Sequence, residues 1–460
     1  MQSYFLDDHI VAMYGERREE AENKLVTAPT VTDGQGYRLV NSPDYDLDRP
    51  GLPVIENKGK LTAWSVVGKL PEPWMNRTPL NAFSVYYGES TNFDPPQSRS
   101  QSVFGDDLPA ASGSSKDYGF SFDALHNKVS FRVNFFESKQ INTRNSALSQ
   151  ATISIMERHK EAFNSVTNSF NPDSNGDHFP DGYVAPPQAV LDLFKTKING
   201  NTLTYTSAGV VDTSDYVAKG VEIESVIRPT RNLTVSLNVS QQKSTRSNSG
   251  KYLRELLFNT PLANGQTLND AWTSNAAGNI ALTMGAVGVP FTTGTLAHYY
   301  NLFILNPYNK VALADGGPAT ELREWRANAS ASYSFRQGMF KGVKLGGAAR
   351  WQDKVAIGYP IVSYRADGTL VGTGAPQSTD FRSYDIAHPY YGPDDLNIDT
   401  WVSYQRPIWK KRFDFKVQLN VRNLFADEDL IPIRAQPDGS IAIYRIPSPR
   451  TISLTTTFGF

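Results

Sequence analysis

The chain has 460 residues, with 45 Lys and Arg against 46 Asp and Glu, 12% aromatic residues and no cysteine. The balanced charge gives no electrostatic basis for nucleic-acid binding, and the missing thiols exclude disulfides and thiolate metal sites. No window of about 18 apolar residues occurs, so no transmembrane helix is encoded, and a membrane-spanning form would have to be a barrel of strands.

The N-terminus, from Met1 through Phe5 to Ile10, carries no basic n-region, apolar core or small-residue cleavage site. As written it would not be exported by the general route: either the chain is soluble or Met1 is not the true start. Residues 2–6 read as the tail of a strand, Asp7, Asp8 and His9 as a tight turn, and residues 10–18 as the next strand, so the chain begins inside a hairpin. Residues 60–69 and 80–88 form the next pair, joined through Leu70, Pro71, Glu72 and Pro73, where proline breaks the ladder.

Residues 115–123 put Tyr118, Phe120 and Phe122 on one face, and residues 128–138 return with Val129, Phe131, Val133 and Phe135. Residues 218–227 carry Val221, Ile223 and Ile227 against Glu222 and Glu224. After a turn at Pro229 to Asn232 come Leu233, Val235, Leu237 and Val239, with Thr234, Ser236, Asn238 and Ser240 between them. Residues 327–336 and 343–351 form a further pair, and residues 397–404 another with 413–423. In the latter strand Phe413, Phe415, Val417, Leu419 and Val421 alternate with Asp414, Lys416, Gln418, Asn420 and Arg422. At the end, Ile452, Leu454, Thr456, Phe458 and Phe460 share one face and Ser453, Thr455, Thr457 and Gly459 the other. A two-residue period is what one apolar and one polar face require.

About thirteen strands of about ten residues result, long enough to cross a bilayer at a tilt. Short turns follow every second strand, and the other connections are long: 18–59, 89–114, 140–215, 244–326 and 354–396. Outer-membrane barrels have this asymmetry. A soluble sandwich or propeller explains the alternation equally well, but its strands run about five or six residues and its loops rarely exceed about fifteen.

Several segments resemble the TonB-dependent receptors of Gram-negative outer membranes: Asn423, Leu424 and Phe425 at the end of the penultimate strand, Pro449 and Arg450 opening the last one, and the terminal Phe460. Residues 115–119 and 219–224 add to the likeness, which spans most of the chain. The resemblance implies a barrel of 22 strands preceded by a plug and a box that contacts TonB. Neither plug nor box is recognisable in residues 1–460, so the whole sequence reads as one partial barrel domain lacking the plug and the first strands. It also implies an outer-membrane location among lipid, import of a scarce large ligand (a siderophore, cobalamin or an oligosaccharide), contact with TonB only through the missing plug, and Phe458 and Phe460 as the signal read by the barrel-assembly machinery. The alternatives are a plugless porin or structural barrel and a soluble β-rich binding protein.

Chemistry-bearing motifs are few. Asp173, Asn175, Asp177 and Asp181 lie in a glycine-containing loop with oxygen ligands at spacings that suit Ca²⁺. His178 and Val184 stand where an EF-hand needs Gly and Glu, so the choice lies between a looser structural Ca²⁺ loop and a polar surface turn, and no other cofactor is indicated. Residues 155–163 and 189–198 read as short helices, with Glu157, Arg158, His159, Lys160 and Glu161 as a solvated face. No HExxH, GxSxG or P-loop spacing occurs, and Asp394 and Asp395 sit in a turn, so no enzyme is indicated. The aromatics Trp272, Tyr299, Tyr300, Tyr308 and Trp325 in the long loops suit a stacking platform for a ligand, or packing of the loops on themselves.

Overall fold

The computed structural model describes residues 1–24, 46–48, 50–52, 54–95, 100–206, 209–284, 292–317, 322–365, 369–372, 380–408, 413–426 and 428–459. Thirteen strands form one antiparallel sheet in strict chain order: β1 (Gln2–Phe5), β2 (Ile10–Lys24), β3 (Val54–Lys69), β4 (Leu80–Asp94), β5 (Ala111–Ala124), β6 (Val129–Asn145), β7 (Asp212–Thr230), β8 (Leu233–Ser247), β9 (Trp325–Ser334), β10 (Val343–Gln352), β11 (Asp395–Ile408), β12 (Phe413–Arg422) and β13 (Thr451–Gly459). Among the described residues no pairing joins β1 to β13, so the sheet has two edges. Among them, too, no helix is long and apolar enough to cross a membrane.

Register keeps like with like. Phe415 faces Phe458, Leu419 faces Leu454 and Val421 faces Ile452; Val402 faces Leu419; Val133 faces Ile223; Val85 faces Phe120. The intervening positions pair polar groups: Gln418 with Thr455, Ser236 with Ser330, Arg132 with Glu224. A slip of one residue would exchange the two faces, so the alternation itself fixes the register. Several strands outrun the apolar pattern at the long-loop rim. β2 continues to Lys24 and β6 to Asn145, because the backbone ladder needs no apolar side chain once both faces meet water.

Every long connection leaves from one rim. Two adjacent ones, 146–211 and 248–324, fold together into a helical cap with a core of its own. The cap contains α1 (Ser149–Thr167), α2 (Gln188–Leu193), α3 (Lys251–Phe258), α4 (Leu268–Thr273) and α5 (Leu296–Tyr300), which runs through a π-helical turn (Asn301–Leu305) into α6 (Asn306–Leu313). Pro307 explains the π turn: it has no N–H to give the carbonyl one turn back, and the helix widens there. Ile155, Met156, Phe194, Leu256, Trp272, Tyr300 and Ile304 are almost fully buried in this unit.

The cap is fastened to the strand ends. The Asp212 carboxylate accepts from the amides of Thr213, Tyr252 and Leu253, anchoring the start of α3. Asp215 takes bonds from the Asn142 amide and the Asn248 side chain. Asp315 is held by Arg246 and by the Ser249 amide. At the same rim the connection 423–450 carries a small hairpin, Ile431–Ala435 with Ile441–Arg445.

Candidate functional site

The apolar face is graded along the strands. Near the long-loop rim Trp64, Tyr87, Tyr118 and Phe135, on four successive strands, form a row with ring centres 5.3, 6.3 and 5.4 Å apart. Near the short-turn rim Phe83, Phe120, Phe122 and Phe131 form a second row. Immediately beyond the first row the side chains become ionic: Lys60 pairs with Glu16 at 3.1 Å, Lys116 with Glu89 at 3.1 Å and Lys219 with Glu137 at 2.9 Å. The Tyr87 hydroxyl donates to Glu89 at 2.5 Å and so links ring row to ion row. The apolar face thus passes from aromatic rings directly to ion pairs along the strand direction.

The opposite face is polar and locally networked. Arg132 Nε donates to the Tyr86 hydroxyl at 3.2 Å, Tyr86 donates to Asn134 Oδ1 at 3.0 Å, and Asn134 Nδ2 donates to Asp117 at 3.2 Å. Arg132 also lies over the Tyr86 ring, 5.3 Å from its centre. Farther along, Arg350 pairs with Asp399 at 3.0 Å, among Ser, Asn, Gln and Thr positions. This network was not singled out in the sequence. Arg132 and Asn134 could be read there as a polar face, but their pairing with Tyr86 and Asp117 needs the register.

The cap interior corrects one expectation. Arg158 and His159 do not lie on a solvated helical face; each is only 2% exposed. The Arg158 guanidinium lies 5.5 Å from the Tyr299 ring centre and 4.7 Å from that of Phe303, and it pairs with Glu161 through Nη2 at 2.8 Å and Nε at 2.7 Å. Burial raises the Glu161 carboxyl while Arg158 opposes the rise. The His159 ring stacks on Phe179 at 4.8 Å, and its Nδ1 is 3.0 Å from the Tyr183 hydroxyl; burial pushes its pKa down to about 4. The π turn supplies Phe303, which a local reading of α1 could not foresee.

The loop aromatics divide. Trp272, Tyr299, Tyr300 and Tyr308 are buried in the cap core, with Trp272 Nε1 donating to the Val184 carbonyl at 2.8 Å. Here they pack the loops together and present no open stacking face. Trp325 stands apart, half exposed at the start of β9.

In the acidic loop, Asp173 accepts from the amides of Gly176, Asp177 and His178. Asn175 accepts from Asp177 and Asp177 from Phe179, while Asp181 takes both the amide and the hydroxyl of Ser174. The side chains thus satisfy the loop's own backbone as Asx turns do. Among the described residues no group of three or more His, Asp or Glu side chains is disposed to hold a metal ion.

Asn423 has φ of 53° and closes the end of β12. Its amide donates to Asp399 at 2.9 Å and its side-chain amide to the Ser448 carbonyl, while Leu424 donates to Ile398. Phe425 projects into the open, 73% exposed. The Pro449 carbonyl accepts from Thr451 Oγ1 at 3.5 Å, and Arg450 lies exposed just ahead of β13. Phe458 lies 5.2 Å from Phe415; Phe460 is outside the described residues.

What the described residues define is one antiparallel sheet of thirteen strands in chain order, with an apolar and a polar face. Solved structures similar to it are TonB-dependent outer-membrane receptors. The ferripyoverdine receptor of Pseudomonas aeruginosa matches 88% of this chain at 13% identity, with a TM-score of 0.42. The ferric preacinetobactin receptor BauA of Acinetobacter baumannii matches 99% at 12% identity, TM-score 0.45; the ferric yersiniabactin uptake receptor FyuA of Yersinia pestis matches 98% at 10%, TM-score 0.44. The chain spans 33%, 41% and 44% of their respective lengths. No family profile and no curated protein matches the sequence.

Proposed function

We propose that this chain forms the greater part of the wall of an outer-membrane active transporter importing a scarce ligand too large for simple pores. The observation that carries the reading is the alternation of an apolar and a polar face along the strands, with a ring row on β3 to β6 and an ion row on β2 to β7 toward the long-loop rim. The apolar face would meet lipid, and the polar face, from Arg132 and Glu224 to Lys416, Gln418 and Asn420, would line the lumen. The two sheet edges favour a larger closed barrel, since unpaired edges invite association. The remaining strands, a lumen plug and the contact with TonB would come from elsewhere in such an assembly. Siderophores, cobalamin and oligosaccharides all fit the reading.

The test is uptake in cells of the source organism with and without a functional TonB. Energy-dependent accumulation of a radiolabelled ferric siderophore, vitamin B12 or maltohexaose that is lost both on deleting this gene and on deleting TonB supports the proposal. Passage independent of TonB would make the protein a porin.

A further inference from the structure

Among the described residues, the polar face of β8 to β13 carries a single aromatic side chain, Trp401. Register sets it between Gly346 on β10 and Asn420 on β12, with Ser332 one strand beyond the glycine and Ser403 opposite Gln418 at the next height. The ring lies across Gly346, where a Cβ would run into it, so the glycine is what lets the indole lie down on the wall. Trp401 is half-buried. Among the described residues no other ring and no cation covers it, and its N–H has no hydrogen-bond partner and is not enclosed.

Tyr86 over Gly119 and Phe136 over Gly220 repeat the aromatic-on-glycine contact in the other half of the sheet, and such pairs steady neighbouring strands. Tyr86, however, is bound into the network of Arg132 and Asn134, whereas Trp401 keeps its donor free. Beside it, Gln418 Nε2 donates to Asn420 Oδ1 at 2.6 Å. That bond leaves the Gln418 carbonyl and the Asn420 amide group unspent, an acceptor and a donor side by side. On the same face of β10 to β12 the bases Lys344, Arg350, Lys416 and Arg422 stand against Asp395, Asp399 and Asp414, with Arg350 already paired to Asp399. A near-balance of this kind selects no anion.

We infer that Trp401, Gln418 and Asn420 form a subsite for a neutral sugar ring of an oligosaccharide, the C–H face of the pyranose on the indole and two neighbouring hydroxyls on the amide pair. The electron-rich face of an aromatic ring attracts weakly positive C–H groups, and a few placed polar groups fix orientation. The inference rests on the transporter reading with the polar face toward the lumen, and narrows its ligand to the carbohydrate class.

The full chain is reconstituted in vesicles, and the fluorescence of Trp401 is taken as the difference between the parent and Trp401→Leu. Aqueous iodide should quench it and brominated lipid should not; the reverse would overturn the lumen reading itself. Maltohexaose, cellohexaose, xylohexaose and N-acetylchitohexaose are then titrated, and at least one should change the signal saturably. Equilibrium dialysis of that sugar in labelled form should show binding weakened about ten-fold or more by Trp401→Leu, and likewise by Gln418→Ala with Asn420→Ala. Gly346→Val, which keeps the indole but lifts it from the wall, should weaken binding too, while Trp74→Leu at an exposed turn should change nothing. Silence toward all four sugars, an affinity indifferent to Trp401→Leu, or a Trp401 signal that answers ferrichrome and none of the sugars would overturn the inference. Each of those results leaves TonB-dependent uptake in cells to be judged on its own measurement.

Discussion

Arg158 and Phe303 form a buried cation–aromatic contact, the guanidinium carbon 4.7 Å from the ring centre, with Glu161 closing the opposite side. The contact ties α1 to the π-helical turn across more than a hundred residues of sequence, and so joins the two long connections into one cap. Removing only Arg158 strands a buried carboxylate. Arg158→Ala should therefore destabilise the cap by about 3–5 kcal/mol, while Arg158→Leu combined with Glu161→Leu should be nearly neutral. Urea titration followed by near-UV circular dichroism checks both.

His159 gives the cap an acid limit. Its folded pKa of about 4 lies below the ordinary 6.5, so the folded state binds fewer protons than the unfolded one, and stability rises with pH between those values. Above pH 6.5 the contribution is complete. As pH falls from 6.5 to 4 it is lost progressively, to a total of about 3 kcal/mol. His159→Phe should flatten the profile in that window. Hydrogen exchange of the α1 amides at pH 7 and pH 4.5 is the measurement.

Asn423 separates backbone from side-chain effects. At φ of 53° alanine carries a left-handed penalty of about 1–2 kcal/mol that glycine avoids, and both lose the bond to Ser448. Asn423→Ala should thus unfold more readily than Asn423→Gly, and both more readily than the parent, in guanidinium titration of the reconstituted barrel.

Much of the sheet was legible in the sequence because period-two alternation is a local signal; Phe413 to Arg422 can be read without knowing a neighbour. The cap was not, because its core is assembled from partners far apart. Arg158 and His159 lie in a charged run whose burial depends on Phe303 and Phe179, and Trp272 could be recognised as aromatic but not as enclosed. The acidic loop offered oxygen ligands at plausible spacings, and only the geometry revealed that Asp173 and Asp181 spend them on the loop's own donors.

Adjacent residues on β12 should respond oppositely to charge. Leu419→Arg, on the apolar face, should cost about 2–4 kcal/mol in a bilayer, falling toward zero only near the rims, whereas Gln418→Arg on the polar face should be tolerated. Folding yield into vesicles and the gel-mobility shift on boiling report the difference.

The assignment of the two faces is tested most directly by cysteine scanning, which the absence of native cysteine makes clean. Single cysteines are placed in turn at positions 415 to 422 of the membrane-reconstituted protein and exposed to a charged maleimide. The account predicts labelling at Lys416, Gln418, Asn420 and Arg422, with protection at Phe415, Val417, Leu419 and Val421. Uniform labelling, or protection of the polar positions alone, would contradict it.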